Sequence, residues 1–308
     1  MIRINFAYRH SLQTAVFVLN EGGFCRKYGL EGIFNHVPNT QEAEDGLLEG
    51  KYNFIFGNHV EPYLDRVRRG EKIIYLAQAS NYWPDRLVAN PEINSLEDLK
   101  GKKIAVLAKG DHPELIVRQR FRDVGLDIEK DRIEEVEVEK INMMKAYKMV
   151  LEREVSAAFM LPPFDYKAKK DGLKVIELSP FPQIWGVTLA TTSDFADKNE
   201  ETVMNVLKAF VDAIHYFITE KKRTLEILSK ELTDALELEG ADAIEHLYKE
   251  TVKTLEKKPY PTLDAIRNLY NLTLVAYPEI KVINPLMLWD LHFLRRLDES
   301  GFIDDLYK

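Results

Sequence analysis

The sequence predicts an α/β protein of two lobes with a helical C-terminal region. Strand-like and helix-like segments alternate through residues 2–77, and a second series of the same kind runs from 103 to 178. From residue 199 onward the pattern is mostly helical. The length of 308 residues suits two domains of ordinary size, each able to bury its own core.

The first series starts with residues 2–8, which alternate apolar and polar side chains as a strand with one buried face does. Ser11 can cap the helix that follows, and the pair Gly22-Gly23 ends it. Further strands are predicted at 30–36, 52–56 and 72–77, and helices at 40–50 and 61–69. Crossovers of this kind imply a parallel sheet that is covered by helices.

The second series begins with a strand at 103–107 and a helix at 113–124, which Gly125 ends. Further strands are predicted at 133–138, 156–160 and 174–178, with a helix at 142–154. One more strand, at 186–190, follows this series and precedes the helical remainder. The helical remainder is interrupted at Pro259, Pro261, Pro278 and Pro285. This series therefore predicts a second α/β lobe, and the tail predicts helices that follow both lobes.

Composition and charge exclude several classes of protein. Lysine and arginine number 42 against 50 aspartates and glutamates, which gives a net charge of -8, so no nucleic-acid partner is expected. Cys25 is the only cysteine, which excludes an internal disulfide and an iron–sulfur cluster held by this chain alone. No run of about 18 apolar residues occurs, so no transmembrane helix is expected.

The amino terminus lacks the basic start and long apolar run of a secretory signal. We therefore expect a periplasmic or extracellular protein if a leader has been removed. If Met1 is the native start, we expect a cytoplasmic one.

The segment 93–106, which reads Ile-Asn-Ser-Leu-Glu-Asp-Leu-Lys-Gly-Lys-Lys-Ile-Ala-Val, closely resembles the start of the second lobe in type II periplasmic binding proteins. Within that fold the chain is most similar to the NMT1/THI5-like branch, which includes nitrate, sulfonate and taurine binding proteins and thiamine-pyrimidine precursor synthases. Shorter motifs at 22–30, 125–127 and 300–304 also resemble that branch, so the resemblance spans the whole chain.

The resemblance implies a two-lobed type II periplasmic-binding-protein fold, with an interlobe ligand cleft that closes by hinge motion. Lobe 1 would comprise residues 1–87 and 186–308, including the C-terminal helices, and lobe 2 would comprise residues 88–185. We expect a monomer with a small-molecule ligand and, as a partner, the permease of an ABC transporter.

Ligands of open α/β sheets bind beyond the carboxyl ends of the strands, where loops lead into helix amino termini. The residues that follow the predicted strands, or lie near the expected hinges, are therefore the candidates for ligand contact. These residues are Arg9, His10, Ser11, Asn58, His59, Gln78, Ser80, Asn81, Gly110, Asp111, His112, Pro162, Phe164 and Trp185.

Two of these loops carry chemistry suited to an anion. The Arg9 guanidinium can hold a carboxylate in a bidentate pair, although a surface salt bridge explains it as well. Gly110 permits close backbone approach at a helix start. Asp111 stands where the family usually carries Ser or Thr, and it would repel an anion unless it capped the helix. A bare sulfonate or nitrate ligand is therefore less expected.

The other candidates supply neutral or aromatic contacts. Amide and hydroxyl side chains can hydrogen-bond a ligand, but each is equally natural in a turn; these are Asn58, Gln78, Ser80 and Asn81. Aromatic side chains can stack on an organic ligand or pack at a hinge; these are Tyr82, Trp83, Phe164 and Trp185.

Three histidines, His10, His59 and His112, fall on three different predicted cleft loops. Together with Asp111 they could ligate a transition metal or titrate near neutral pH. No local motif such as H-E-x-x-H supports a metal site, so none is expected.

These observations favour a solute-binding protein that captures a small polar organic ligand, with a carboxylate as the group for Arg9, and needs no cofactor. The alternative is a cytosolic enzyme on the same fold, similar to the pyrimidine-precursor synthases or to a lyase or decarboxylase. The resemblance to the synthases implies pyridoxal phosphate on a lysine, a nearby histidine and a cysteine-rich motif. Lys51 or Lys109 would be the Schiff-base lysine. The single cysteine, Cys25, which reads as a core thiol, argues against that mechanism.

Overall fold

The computed structural model describes residues 1–9, 12–57, 60–107, 109, 112–138, 142–238 and 240–308. Their strands are β1 (Ile2–Tyr8), β2 (Leu30–His36), β3 (Phe54–Phe56), β4 (Ile73–Gln78), β5 (Tyr82–Trp83), β6 (Arg86–Ala89), β7 (Lys103–Leu107), β8 (Glu134–Val138), β9 (Ala157–Met160), β10 (Lys174–Glu177), β11 (Phe181–Pro182) and β12 (Thr188–Thr192).

Their α-helices are α1 (Thr14–Glu21), α2 (Phe24–Lys27), α3 (Thr40–Leu48), α4 (Glu61–Arg69), α5 (His112–Asp123), α6 (Met143–Leu151), α7 (Phe164–Lys170), α8 (Ser193–Lys198), α9 (Glu200–Thr219), α10 (Lys221–Leu232), α11 (Ala241–Thr254), α12 (Leu263–Ala276), α13 (His292–Glu299) and α14 (Phe302–Leu306). Among the described residues, no helix combines the length and apolarity needed to cross a bilayer.

The chain divides into two compact units. Unit 1 comprises Met1–Trp83, Pro182–Glu237 and Thr251–Lys308, and unit 2 comprises Pro84–Phe181 and Leu238–Glu250. The sequence analysis expected lobe 2 to span residues 88–185, and the boundaries of unit 2 fall a few residues before these. One reason is that β6 hydrogen-bonds along β9 and β10 from Arg86 onward.

The sequence analysis also assigned the whole of 186–308 to one lobe, and the structure differs there. Residues 241–250 of α11 group with unit 2, because polar side chains on this helix bind residues of that unit. The remaining residues of α11 group with unit 1.

Unit 1 contains a five-stranded sheet in the order β2-β1-β3-β12-β4. Strands β1, β2 and β3 are parallel, whereas β12 runs antiparallel to both of its neighbours, β3 and β4. Consequently β4 runs in the same direction as β3. The carboxyl ends of β1, β3 and β4 and the start of β12 therefore meet at one edge of the sheet.

Apolar side chains cover both faces of this sheet, as the burial of strands in α/β proteins requires. On one face, the Phe6 ring stacks on Phe34 and Phe54 with ring centroids 4.6 and 5.6 Å apart. On the other face, Ile55 and Tyr75 belong to a second buried cluster. Apolar packing on both faces thus stabilises the sheet, and with it the edge from which the polar loops extend.

Unit 2 contains a five-stranded sheet in the order β10-β6-β9-β7-β8. Strand β7 is parallel to β8 and β9, and β6 is antiparallel to β9 and β10. Leu99 of the 93–106 segment is fully buried in the core of this unit. Asp98 Oδ2 accepts the backbone N–H groups of Asn94 and Ser95 at 2.7 and 3.2 Å. The segment is thus a capped turn that leads into β7.

Glu44 is a fully buried carboxyl group of unit 1, and Asp65 is its acidic neighbour. Burial, and then the neighbouring Asp65 carboxylate, raise the pKa of Glu44 to about 10. Asp65 itself is held by Arg69, with Nε–Oδ1 and Nη2–Oδ2 distances of 2.8 and 2.5 Å. Glu44 is therefore protonated at neutral pH.

We expect Glu44→Gln to remove a pH dependence of stability. The folded pKa lies above the ordinary value of 4.5, so the stabilisation is complete below that value and is lost as the pH rises towards 10. One such group lowers the free energy of unfolding by at most about 1.4 kcal/mol per pH unit in this window. Urea unfolding at several pH values should show a flatter profile for Glu44→Gln, with Glu49→Gln as an exposed control. Identical slopes would contradict the assignment.

Arg120 joins the two segments at which the chain passes into and out of unit 2. Its Nη2 donates to Asp85 Oδ1 at 2.6 Å, and its Nη1 donates to the carbonyl oxygen of Ser179 at 2.7 Å. The guanidinium also lies over the Phe181 ring, 5.3 Å from the centroid. Arg120 and Asp85 are both buried, so burial raises the pKa of Asp85 although Arg120 opposes the shift.

Removal of one partner of this buried pair should be strongly destabilising. We expect Arg120→Met to lower the free energy of unfolding by about 3–5 kcal/mol, because the Asp85 carboxylate remains buried without its counter-charge. The double variant Asp85→Asn/Arg120→Met should lose less than the sum of the two single losses. Chemical denaturation followed by circular dichroism measures both, with the exposed Arg122→Met as the control. Additive losses would show that the two side chains are not coupled.

Candidate functional site

The edge of unit 1 where β1, β3, β4 and β12 meet is built around Arg9. Arg9 Nη1 donates to the carbonyl oxygen of Gly57 at 2.9 Å, and the Arg9 backbone N–H donates to Gln13 Oε1 at 2.7 Å. Gln13 Nε2 in turn donates to the carbonyl oxygen of Gly186 at 3.0 Å. A single buried amide therefore ties the end of β1 to the segment that leads into β12.

Gly57 occupies a position that only glycine suits. Its φ of +83° lies in the left-handed region, and a Cβ there would collide with Gln13 Nε2. Its N–H donates to the Thr188 carbonyl oxygen at 3.0 Å. Gly57 thus brings its backbone close enough to hold both Arg9 and β12.

The Arg9 guanidinium is half-buried and only partly used. Nη1 is occupied by Gly57, whereas Nε is buried without a hydrogen-bond partner among the described residues. Within the described part of the chain no carboxylate forms an ion pair with it, in contrast to the salt bridge that the sequence allowed. The structure therefore leaves this cation pre-positioned and without a counter-charge from the residues that it describes.

Gln78, at the end of β4, is fully buried and its amide is in use. Nε2 donates to the carbonyl oxygens of Ser80 and Trp185, the latter at 2.8 Å. Oε1 accepts the hydroxyl of Thr188 at 2.5 Å. Both amide hydrogens donate to backbone carbonyl oxygens, so the Gln78 side chain stabilises the structure of this edge.

Asn81 has a similar internal role. Its Nδ2 donates to the Tyr260 carbonyl oxygen at 2.9 Å and to Glu256 Oε1 at 3.2 Å, and its Oδ1 accepts the Thr262 N–H at 2.9 Å. The Gln78 backbone N–H also donates to the Pro259 carbonyl oxygen at 2.7 Å.

The segment around Pro259-Tyr260-Pro261 is thus part of this edge. In the sequence it was visible only as an interruption between helices. No signal in the sequence paired it with residues 78–81.

Ser80 and Trp185 complete the described part of this edge. Ser80 is buried, and its Oγ has no hydrogen-bond partner among the described residues. The half-buried Trp185 ring meets Trp83 edge-to-face, with centroids 4.9 Å apart and an interplanar angle of 76°. A hydroxyl and an aromatic wall therefore belong to the same unit as Arg9.

In unit 2 the predicted residues follow β7 and β9. His112 begins α5 and is buried. Pro162 precedes Pro163 through a cis peptide bond, and both are buried. Phe164 is only 1% exposed and packs against Tyr147, with ring centroids 6.4 Å apart. The Phe164 side chain therefore packs in the core of unit 2. The sequence analysis had allowed it either to pack inside the protein or to stack on a ligand.

The remaining predicted ligand residues lie outside the described residues. They are His10, Ser11, Asn58, His59, Gly110 and Asp111. Helix α1 begins at Thr14, and its N-cap residue is Gln13, two residues after the predicted cap Ser11.

Three residues named for the enzymatic alternative are described by the structure: Cys25, Lys51 and Lys109. Cys25 is buried, and burial raises the pKa of its thiol to about 12. Lys109 is exposed, and the exposed Lys51 lies over the neighbouring Tyr52 ring at 5.1 Å from the centroid. Among the described residues, no group of three or more His, Cys, Asp or Glu side chains could hold a metal ion. A pyridoxal site with a cysteine-rich motif therefore does not fit these residues.

Solved structures similar to this chain include two sulfonate-binding proteins. The periplasmic sulfonate-binding protein SsuA of a sulfonate ABC transporter from Methylobacillus flagellatus KT has a TM-score of 0.73 at 18% identity, with 98% of this chain and 95% of that chain covered. The periplasmic aliphatic sulphonate binding protein SsuA from Escherichia coli has a TM-score of 0.69 at 16% identity, with 90% and 87% covered.

An enzyme shares the same fold. The desulfurization enzyme DSZB has a TM-score of 0.65 at 14% identity, with 97% of this chain and 100% of that chain covered. At these identities the likenesses show the fold alone. No curated protein matches the sequence.

The fold class predicted from the sequence is confirmed by these structures, which include periplasmic binding proteins and cover nearly the whole chain. A family model described as NMT1/THI5 like matches residues 12–223, which is more than half of the 308 residues. The predicted branch is thereby confirmed as well. The chain belongs to the NMT1/THI5-like family.

Proposed function

We propose that this protein is a solute-binding protein that captures a small organic anion and delivers it to an ABC transporter. Membership of the NMT1/THI5-like family supports this role, and so does the fold shared with SsuA proteins of sulfonate transport. The observation that carries the proposal is the Arg9 guanidinium, which is held at the carboxyl edge of the unit 1 sheet without a carboxylate partner among the described residues.

A half-buried cation with no counter-charge is unfavourable in the empty protein and is stabilised when an anion arrives. The bond from Nη1 to the Gly57 carbonyl oxygen already restrains the Arg9 side chain, and the Gln13 amide holds its backbone, so less side-chain entropy is lost on binding. A guanidinium presents parallel N–H donors that suit the two oxygens of a carboxylate. We therefore propose a carboxylate as the first class of ligand and a sulfonate, whose oxygens are similarly spaced, as the second.

Two further features of unit 1 support an organic ligand over a bare inorganic ion. The Ser80 hydroxyl supplies a neutral hydrogen-bonding group, and the Trp83 and Trp185 rings supply apolar surface. In unit 2 we propose His112 and Pro162 as ligand contacts. They follow β7 and β9, and ligands of α/β sheets bind beyond the carboxyl ends of such strands.

The first experiment distinguishes capture from catalysis. Freshly purified full-length protein is examined by native mass spectrometry and by absorbance. A colourless protein that carries a small anionic metabolite supports the proposal. The visible absorption of a pyridoxal Schiff base would overturn it in favour of an enzyme of the pyrimidine-precursor type.

The second experiment tests Arg9. A panel of carboxylates, sulfonates and pyrimidines is screened by thermal shift, and the best anion is titrated by calorimetry. We expect Arg9→Ala to weaken its binding by about 1.5–3 kcal/mol, the scale of a hydrogen bond to a charged group, which is roughly 10- to 150-fold in Kd. Arg9→Lys should recover only part of the loss, because an ammonium group cannot form the bidentate pair.

Arg26→Ala is the matched control, since it removes an exposed arginine of the same unit. Circular dichroism of each variant establishes that it is folded. Equal affinity of Arg9→Ala and the unmodified protein for the anion would remove Arg9 from the site.

A further inference from the structure

Helix α11 carries a polar stripe that faces unit 2. Asp242, His246 and Glu250 are spaced by four residues, which places them along one face of the helix. Each of the three side chains binds a different residue of unit 2. The pairs are Tyr166 OH to Asp242 Oδ2 at 3.4 Å, His246 Nε2 with Asp165 Oδ2 at 2.8 Å, and Arg86 Nη2 to Glu250 Oε2 at 2.8 Å.

Two of these contacts reach residues 161–166, which are the turn after β9 and the first three residues of α7 and are termed the 161–166 loop. This segment contains the proposed ligand residue Pro162. Asp165 is 1% exposed, and the His246 ring lies 5.5 Å from the Tyr166 ring, with 30° between their planes. Burial alone would raise the pKa of Asp165, but the His246 hydrogen bond and charge outweigh it and lower that pKa. Asp165 therefore stays ionised, and His246 is its hydrogen-bonded counterpart.

The third contact lies at the same edge of the unit 2 sheet. Arg86 is paired in register with Met160, the last residue of β9. Its Nη1 also donates to the carbonyl oxygens of Pro84 and Asp85, at 2.9 and 3.2 Å. Glu250 thus binds a guanidinium that already holds the segment where the chain passes into unit 2.

Burial of Leu161 and Phe164 anchors the 161–166 loop in unit 2, and the side-chain hydrogen bonds of Asp165 and Tyr166 run to α11. Helix α7, which begins within it, has seven residues and no side-chain cap. At its start, the Phe164 N–H donates to the Leu161 carbonyl oxygen at 3.1 Å and the Lys167 N–H donates to the Pro163 carbonyl oxygen at 3.2 Å. A short helix without a cap gains little stability from its own hydrogen bonds.

We propose that residues 241–250 of α11 form a positioning strap that holds the 161–166 loop in place at the carboxyl end of β9, with His246 as its central residue. The functional part of this inference rests on the proposed capture of a ligand by residues that include this loop. His246 acts through Asp165 and touches no ligand, so it is a positioning residue. Nothing in the sequence pairs His246 with Asp165, which lies 81 residues earlier in the chain.

Hydrogen exchange measured by mass spectrometry on the ligand-free full chain tests the strap. In His246→Ala we expect the exchange of peptides that cover 161–170 to accelerate by about threefold or more, because the loop opens locally once Asp165 has lost its partner. Peptides that cover β7 and β9 should be unchanged. Lys249→Ala, an exposed substitution on the same helix, should leave every peptide unchanged.

A conservative variant separates positioning from a general loss of stability. His246→Gln retains an N–H donor for Asp165 and should recover part of the protection. Exchange at 161–170 that equals the unmodified protein in His246→Ala would overturn the strap, and so would acceleration spread evenly through β7 and β9. The measurement needs no ligand, so failure of the strap is distinguishable from failure of ligand capture.

Discussion

The candidate site in unit 1 depends on one amide, that of Gln13. By accepting from the Arg9 backbone and donating to the Gly186 carbonyl oxygen, it fastens the first strand of the chain to a segment 173 residues further on. Gln13 is fully buried, so these bonds form in a low-dielectric setting where an unpaired amide would be costly. The absence of a side chain at Gly57 makes room for that amide and leaves a carbonyl oxygen for the Arg9 guanidinium.

The direction of β12 also shapes this edge of the sheet. Because β12 is antiparallel between β3 and β4, the chain re-enters the sheet at the edge where the parallel strands end. Gly186 and Thr188 therefore lie beside the loops that follow β3 and β4, as the Thr188 bonds to Gly57 and Gln78 show. One edge of the sheet thus gathers polar groups from segments that are remote in sequence, which is how an α/β fold concentrates binding chemistry.

Local patterns predicted the elements more successfully than the long-range pairings. The strands at 2–8 and 30–36 and the helix at 61–69 match their observed bounds, because their periodicity is strong and their ends are marked. The place of β12 between β3 and β4 and the grouping of residues 241–250 with unit 2 depend on contacts across the fold, which no window of sequence contains. At the site, the position of a polar residue after a strand was visible, but the direction of its hydrogen bonds was not. The amides of Gln78 and Asn81 therefore bind backbone groups of the protein, whereas Arg9 Nε has no hydrogen-bond partner among the described residues.

The burial of Cys25 has a practical consequence for following this protein in solution. The residue is 5% exposed, and burial raises the pKa of its thiol to about 12, so reagents that attack thiolates react poorly with it. As it is the only cysteine in the chain, a new cysteine placed on the surface would be the single reactive thiol of the molecule. A fluorophore attached there would report at one defined place, without prior removal of any native group.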